Sequence, residues 1–145
     1  MNFGLISMGA VLAFAAIGSA LGAGEAGQSA IGAWKKCYAQ NKPAPFLLIA
    51  FVGAPLTQTI YGLIVMGAIR TAAASGKADP WMLLGAGFGG LAMGMSAWFQ
   101  GRSGAAACDA YVDSGKGFAN YILVLGILET VALFVMVFLL GALAG

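Results

Sequence analysis

Residues 117–145 read GFANYILVLGILETVALFVMVFLLGALAG, and Glu129 is the one charged residue in this stretch of 29. About 20 apolar residues of helix cross the hydrocarbon core of a bilayer, so the stretch predicts a membrane-spanning helix. Glu129 lies 13 residues into it, near the centre. A charged side chain at that depth costs about 2.5–3.5 kcal/mol on insertion scales, and such groups are functional by default. The stretch therefore predicts both a membrane protein and a functional carboxylate.

Three further segments, 1–24, 43–69 and 80–101, carry no charge at all. The whole chain is 61% hydrophobic and 8% charged, against about 25% charged in soluble domains, which excludes an ordinary water-soluble fold. We predict an all-α membrane protein, a single domain over 1–145, with no room for a separate soluble domain. The four predicted transmembrane helices are 3–36, 44–74, 79–112 and 117–144. The first apolar run is too long for a signal-peptide core, so we expect it to be retained.

Basic residues mark the connections between these helices. The first connection has Lys35, Lys36 and Lys42, the second Arg70 and Lys77, and the third Lys116. The positive-inside rule then places the first and third connections in the cytoplasm and both termini outside. A net charge of +2, spread over loops, is no argument for nucleic-acid binding.

Two cysteines, Cys37 and Cys108, lie near the connections assigned to the cytoplasm. Thiols stay reduced in that compartment, so free cysteines are favoured over a disulfide between them.

The two halves of the chain resemble each other. Ser19–Gly27 in the first helix matches Ser96–Gly104 in the third, and Leu56–Tyr61 lies opposite Glu129–Phe134. This pattern predicts a duplicated helical hairpin, with hairpin one at about 1–74 and hairpin two at about 79–145. Only the second copy carries a membrane carboxylate.

Most of the glycines of the spanning segments fall in helices 1 and 3. They include the small-xxx-small pairs Gly18/Gly22, Gly85/Gly89 and Gly90/Gly94. Small residues let membrane helices approach closely, because lipid provides no hydrophobic drive between them. The glycines predict a crowded inner layer with helices 2 and 4 outside it, as in a ring of subunits or in a compact monomeric bundle.

Two glycine strings formally match a dinucleotide-binding fingerprint, at 22–27 and 85–90. That fingerprint requires a preceding strand and a βαβ unit, whereas both strings lie inside apolar helices. The sequence also has no Gly-x-x-x-x-Gly-Lys-Ser/Thr loop, so we expect this chain not to bind ATP in that way.

Three polar residues of the spanning segments are related by hairpin symmetry. Gln100 and Glu129 are symmetric about the turn at 113–116, and Gln58 and Gln100 are symmetric about Asp79. Since antiparallel helices rise equally, about 1.5 Å per residue, all three should share one level of the bilayer. A glutamic acid that only joins helices, or glutamines bonded to each other, is the alternative explanation.

Helix 2 adds oxygen atoms at this level. Ala54, Thr57, Gln58 and Tyr61 fall within one arc at about 100° per residue, and Pro55 beside them frees a backbone carbonyl. Hard cations prefer several oxygen ligands, whereas a proton needs only the carboxylate. The surplus of oxygens favours Na⁺ at Glu129, Gln100, Gln58 and Thr57, with H⁺ as the alternative. A second polar pair, Glu25 and Arg102, is predicted to be a structural ion pair.

Three motifs resemble the K (proteolipid, c-type) subunit of bacterial sodium-pumping V-type ATPases: Pro55-Leu-Thr57-Gln58-Thr-Ile-Tyr61-Gly62, Phe99-Gln100-Gly101 and Ile127-Leu128-Glu129-Thr130. The resemblance extends over the whole chain. It implies a rotor ring of identical subunits in a bacterial plasma membrane, in which Glu129 carries Na⁺ as the ring turns, coupled to ATP hydrolysis or synthesis on other subunits.

The resemblance also implies roles for single residues. Thr57, Gln58 and Gln100 would be further Na⁺ ligands, and Tyr61 would hydrogen-bond the carboxylate. A backbone carbonyl before the proline maps onto Ala54, where the family has a larger residue. An arginine of the stator subunit would meet Glu129, and the 1–2 and 3–4 loops would contact the central stalk.

Two readings from other classes compete with the rotor ring. A small four-helix drug/proton antiporter also uses one membrane glutamate, but its resemblance requires that glutamate in the first helix. A structural assembly protein with four spans would leave Glu129 and the matched glutamines without a role.

Overall fold

The computed structural model describes residues 2–76 and 78–145, and that part of the chain is helical without a strand. Four long helices follow one another: α1 at Phe3–Ala39, α2 at Leu48–Ala74, α3 at Pro80–Ser114 and α4 at Phe118–Ala144. Each is long and apolar enough to span a membrane. The predicted all-α membrane fold is confirmed. Lys77, which the sequence assigns to the connection between the second and third helices, lies outside the described residues.

Polar side chains and glycines set the helix ends. Asn2 begins α1, since its Oδ1 accepts the N–H of Leu5 at 3.2 Å. The Asp79 carboxylate accepts the N–H of Met82 at 3.1 Å, so Asp79 is the N-cap of α3. The predicted helix began at Asp79, whereas α3 begins one residue later, at Pro80. Gly115 and Gly117 turn the chain between α3 and α4 at φ of 66° and 86°, a conformation that favours glycine.

The predicted start and continuity of α2 are wrong. The helix begins at Leu48, not at 44, because Pro43 and Pro45 disfavour helix in the residues before them. It then consists of Leu48–Gly53 and Thr57–Ala74, joined by a single 3₁₀ turn at Ala54–Leu56. The turn contains Pro55, which has no N–H to donate to the preceding turn of helix.

Helices α1 and α3 form the most extensive contact and meet backbone to backbone. A methyl group on Gly18 would overlap the backbone of Gly94, and one on Gly101 would overlap the backbone of Gly22. The crowded α1–α3 layer is therefore confirmed. The pair Gly85/Gly89 does not belong to it, because Gly85 faces open space and Gly89 faces α4.

Helices α2 and α4 lie against this inner pair. In α4 the buried residues are Leu125 and Ala132, while large apolar side chains such as Phe134 and Phe138 are exposed. Exposed apolar side chains on a spanning helix suit contact with lipid or with another membrane chain.

Helices α1 and α3 lie side by side and run in the same direction. The Lys36 ammonium pairs with the Asp113 carboxylate, 77 positions away, and the Ser29 hydroxyl donates to the carbonyl of Ala105, 76 positions away, at 2.8 Å. Residues about 77 apart therefore lie at one depth on two parallel helices. Cys37 and Cys108 are buried and free, as predicted.

Candidate ion-binding site

A polar layer crosses the middle of the bundle, between two hydrophobic clusters. One cluster includes Val11, Val65 and Met93, and the other includes Phe51 and Leu125. The layer is built from the 3₁₀ turn and first turn of the second part of α2, the centre of α3 and the centre of α4. Apolar packing on both sides separates these polar atoms from the two ends of the bundle.

Glu129 lies at one side of the layer and is partly buried. Its Oε1 accepts the hydroxyl of Tyr61 at 2.7 Å, which ties α4 to α2. Its Oε2 lies 3.4 Å from the amide nitrogen of Gln100 on α3. The carboxylate therefore has one short hydrogen bond and one long one, and it retains lone pairs for a proton or a cation.

The two glutamines are fully buried and bonded in series. The amide nitrogen of Gln58 donates to the side-chain oxygen of Gln100 at 2.9 Å. The amide nitrogen of Gln100 also donates to the carbonyl of Leu125 at 2.9 Å. The shared depth of Gln58, Gln100 and Glu129, expected from hairpin symmetry, is confirmed by these contacts.

The break in α2 brings three more oxygen atoms together. The Thr57 hydroxyl donates to the carbonyl oxygen of Ala54 at 3.1 Å and lies 3.2 Å from the side-chain oxygen of Gln58. The same Ala54 carbonyl also accepts the backbone N–H of Thr57, the hydrogen bond that closes the 3₁₀ turn. The 3₁₀ turn therefore places a carbonyl, a hydroxyl and an amide oxygen side by side.

All the residues expected at the site belong to one hydrogen-bonded network: Ala54, Thr57, Gln58, Tyr61, Gln100 and Glu129. Their role in binding an ion stays a prediction. Among the described residues no group of three or more His, Cys, Asp or Glu side chains could hold a metal ion. A cation here would depend on one carboxylate and on neutral oxygens, a donor set that suits a hard monovalent ion or a proton.

Sequence reasoning did not assign a role to two contacts beside the network. The Ser96 hydroxyl donates at 2.7 Å to the carbonyl of Leu128, the residue before Glu129. The Leu125 carbonyl, one turn earlier, accepts from Gln100. Both contacts hold α4 against α3 next to the carboxylate. The sequence feature that could have indicated the Ser96 contact was its position one turn before Gln100 on the same helix.

Glu25 and Arg102 form the predicted ion pair between α1 and α3. The guanidinium Nε lies 3.8 Å from Oε2 of Glu25, and both side chains are about half exposed. The indole N–H of Trp98 donates to the other carboxylate oxygen at 2.6 Å, and the guanidinium lies about 6 Å from the Trp98 ring. These contacts form a separate cluster, with no hydrogen bond to the polar layer.

One protein-family model matches the part of the chain that contains Gln100 and Glu129. The family model of the ATP synthase c subunit matches residues 84–140, which cover most of α3 and α4 and include Gln100 and Glu129. The second hairpin is therefore similar to the c subunit of ATP synthase over these residues. Comparison with curated proteins gave no match.

This similarity and the four apolar helices support an ion-translocating, c-type rotor-ring subunit of an ATP synthase or related ATPase. Subunits of this family are integral to the membrane, assemble into rings of helical hairpins and are not themselves catalytic.

Proposed function

We propose that this chain is the K-type rotor subunit of a sodium-translocating V-type ATPase in a bacterial plasma membrane. Identical copies form a ring, and each carries one Na⁺ on Glu129 while other subunits hydrolyse or make ATP. Both termini lie outside, and the α1–α2 and α3–α4 loops contact the central stalk on the cytoplasmic side. The observation that carries the choice of ion is the number of oxygen atoms in the hydrogen-bonded network that ends at one carboxylate.

The donor set supports Na⁺ over a proton. A proton on Glu129 would need the carboxylate and one acceptor, and the remaining polar groups would serve no purpose in binding. Here the Thr57 hydroxyl lies within hydrogen-bond distance of both the Ala54 carbonyl oxygen and the Gln58 amide oxygen. Several oxygens around one negative charge are what a hard cation prefers.

Binding of Na⁺ exchanges hydrogen bonds for coordination. The Thr57 proton would turn away from the Ala54 carbonyl, so that both oxygens face the cation. Rotation of the Gln100 amide would present its oxygen where its nitrogen now approaches Glu129. The Tyr61 hydroxyl would keep its hydrogen bond to Glu129 and hold the carboxylate in place.

Charge balance explains how the ring can turn. A neutral pair of Glu129 and Na⁺ faces lipid at small cost, whereas a bare carboxylate does not. When Glu129 meets an arginine of the stator subunit, the ionised carboxylate gains a partner and Na⁺ leaves. Moving one elementary charge against 100 mV requires about 2.3 kcal/mol, which ATP hydrolysis on the other subunits would supply.

Carbodiimide labelling of Glu129 in the purified ring, with and without Na⁺ and across pH, tests the proposal. We expect millimolar Na⁺ to protect Glu129, because the bound cation excludes the protonated carboxyl that the reagent attacks. Labelling that follows pH and ignores Na⁺ would keep the rotor function and make the carried ion a proton. A protein that gives no high-order oligomer would contradict the rotor function itself.

A further inference from the structure

Ser19 on α1 is buried, and its hydroxyl has no partner. The residue is 2% exposed, and within the part of the chain that the structure describes its Oγ is the only fully buried side-chain oxygen or nitrogen without a hydrogen bond. Ser7 and Ser114, by contrast, each donate to the carbonyl oxygen four residues earlier in their own helix. A buried polar group without a partner destabilises a fold, so Ser19 is a candidate for a role in function.

The register of α1 against α2 indicates what Ser19 faces. The two helices run antiparallel and approach closely, since a methyl group built on Gly62 would lie 2.8 Å from the Cβ of Ala15. Ser19 lies four residues after Ala15, and Gln58 lies four residues before Gly62. One step forward on α1 is one step back on α2, so this contact places Ser19 level with Gln58.

A second contact between the two helices gives the same register. A methyl group built on Gly22 would lie 3.0 Å from the Cβ of Pro55. Ser19 lies three residues before Gly22, and Gln58 lies three residues after Pro55. Residues three and four apart share one side of a helix, so Ser19 and Gln58 face each other between α1 and α2.

The second hairpin has an equivalent serine in an equivalent place. Ser96 on α3 matches Ser19 in the duplicated sequence, and its hydroxyl donates to the carbonyl of Leu128 on α4, next to Glu129. A serine at this position therefore faces the outer helix of its own hairpin, beside the polar layer. In the first hairpin the polar side chain on that outer helix is Gln58.

The hydrogen bond between the two glutamines is incompatible with the proposed binding of Na⁺. In the structure the Gln58 nitrogen donates to the side-chain oxygen of Gln100 at 2.9 Å. Rotation of Gln100 would turn that oxygen toward the cation and bring its nitrogen to face the Gln58 nitrogen. Two N–H donors would then oppose each other, and Gln58 would keep a buried donor without an acceptor. Gln58 could not rotate in turn, because its own oxygen would be a ligand of the same Na⁺.

We propose that Ser19 is a positioning residue of the ion site, and that its Oγ accepts the side-chain N–H of Gln58 when Na⁺ is bound. A hydroxyl oxygen has two lone pairs, and those of Ser19 are buried and unused. The Ser19 proton can go to the carbonyl of Ala15, one turn earlier, just as Ser7 donates to the carbonyl of Phe3. The Gln58 oxygen is then held toward the cation. The inference rests on the proposed Na⁺ rotor function, to which it adds a residue of α1.

Ser19→Ala removes the acceptor with little change in volume. The hydroxyl is unpaired without Na⁺ and paired with it, so the Na⁺-free ring should be as stable as wild type or more stable. Na⁺ binding should weaken about tenfold, because the Gln58 donor is left unpaired in the bound state. Thermal unfolding without Na⁺ and the Na⁺ concentration that half-protects Glu129 from carbodiimide measure the two effects. Wild-type Na⁺ affinity in Ser19→Ala would overturn the proposal.

Ser7→Ala is the matched control for this variant. Ser7 is a buried serine of the same helix, twelve residues before Ser19, and its hydroxyl is bonded to the carbonyl of Phe3 in its own helix. Its removal should leave the half-protecting Na⁺ concentration unchanged. An equal loss of Na⁺ affinity in both serine variants would show a general effect on α1 and would contradict a specific role of Ser19.

A double-mutant cycle separates positioning from packing. Because Ser19 acts through Gln58, Ser19→Ala should weaken Na⁺ binding about tenfold in the wild-type background and hardly at all in the Gln58→Ala background. A hydroxyl that only fills space would have the same effect in both backgrounds, and that result would overturn the proposal.

The labelling of the wild-type ring separates this inference from the proposed function. If Na⁺ protects Glu129 equally well in wild type and in Ser19→Ala, the role of Ser19 is wrong and the sodium-carrying rotor stands. If Na⁺ protects Glu129 in neither ring, the carried ion is a proton, and the choice of Na⁺ and the role of Ser19 are both wrong.

Discussion

Glu129 is the only charged residue of α4, and its two oxygens face Tyr61 and Gln100. Glu129→Gln keeps the size of the side chain and its hydrogen-bonding capacity but removes the negative charge. We expect ion transport to be abolished while the oligomer still assembles, because the uncharged amide neither binds a cation tightly nor pairs with an arginine. ATP-driven Na⁺ uptake into vesicles and gel mobility of the oligomer measure the two effects. Normal turnover in this variant would contradict the mechanism.

Gln58 and Gln100 belong to the same layer but carry no charge. Gln58→Ala or Gln100→Ala removes an oxygen ligand and leaves buried partners unpaired, at a cost of about 1–3 kcal/mol. We therefore expect Na⁺ affinity to fall about tenfold or more, with assembly retained. Gln28→Ala, at an exposed position of α1, is the matched control and should change neither property. The Na⁺ concentration that half-protects Glu129 from carbodiimide is the measurement, and unchanged Na⁺ dependence in the Gln58 and Gln100 variants would favour a proton.

At the scale of the elements, the close approach of α1 and α3 sets the position of the polar layer. The carbonyls of α1 lie against glycines of α3, so a single methyl group at Gly18 would overlap the Gly94 backbone. In α2, by contrast, the regular helix is interrupted by the 3₁₀ turn at Ala54–Leu56, and this irregularity brings oxygen atoms together at the site. Close packing of α1 and α3 and irregularity at Ala54–Leu56 therefore support the same site.

This packing predicts opposite results for two chemically identical substitutions. Gly18→Ala should destabilise the folded protein by about 1–3 kcal/mol, because the backbones of α1 and α3 must move apart. Gly67→Ala, at an open position of α2, should be neutral or slightly stabilising, since alanine is the better helix former. Thermal unfolding in detergent, followed by circular dichroism, compares them. Equal stability of the two variants would show that the α1–α3 contact is looser than described.

At the scale of the whole molecule, a single copy leaves many large apolar side chains uncovered, including Ile17, Phe88, Phe134 and Phe138. Lipid can cover the outer helix α4, but the half-exposed charges of Glu25 and Arg102 need polar or protein surroundings. Residues 84–140 are similar to the ATP synthase c subunit, whose copies assemble into rings, and neighbouring copies in such a ring would cover these surfaces.

Oligomer size separates the rotor ring from the alternatives at this scale. We expect the purified protein to have a mass several times the 14.6 kDa of the chain and to resist dissociation in mild detergent. Multi-angle light scattering, corrected for bound detergent, measures it. A monomer or dimer with drug-dependent proton exchange would instead favour the small antiporter.

The sequence by itself determined the number of spanning helices, the duplicated hairpin and the residues of the polar layer. The reason is that hydrophobic length and hairpin symmetry are local properties: uncharged runs define the spans, and equal rise on antiparallel helices places Gln58, Gln100 and Glu129 at one depth. The helical spacing around Pro55 also placed Ala54, Thr57, Gln58 and Tyr61 on one side of α2, and the structure joins these residues in one hydrogen-bonded network.

Only the tertiary structure decided how these residues connect. Periodicity places residues on a face but does not say which face meets which helix, so Gly18 and Gly94 could not be distinguished from Gly85, which faces open space. The contacts of Ser96 with the Leu128 carbonyl and of Gln100 with the Leu125 carbonyl likewise depend on how α3 and α4 are rotated against each other. Helix rotation in a membrane follows from packing against neighbours, and packing is a property of the assembled bundle, because lipid leaves each apolar helix free to turn until its neighbours fix it.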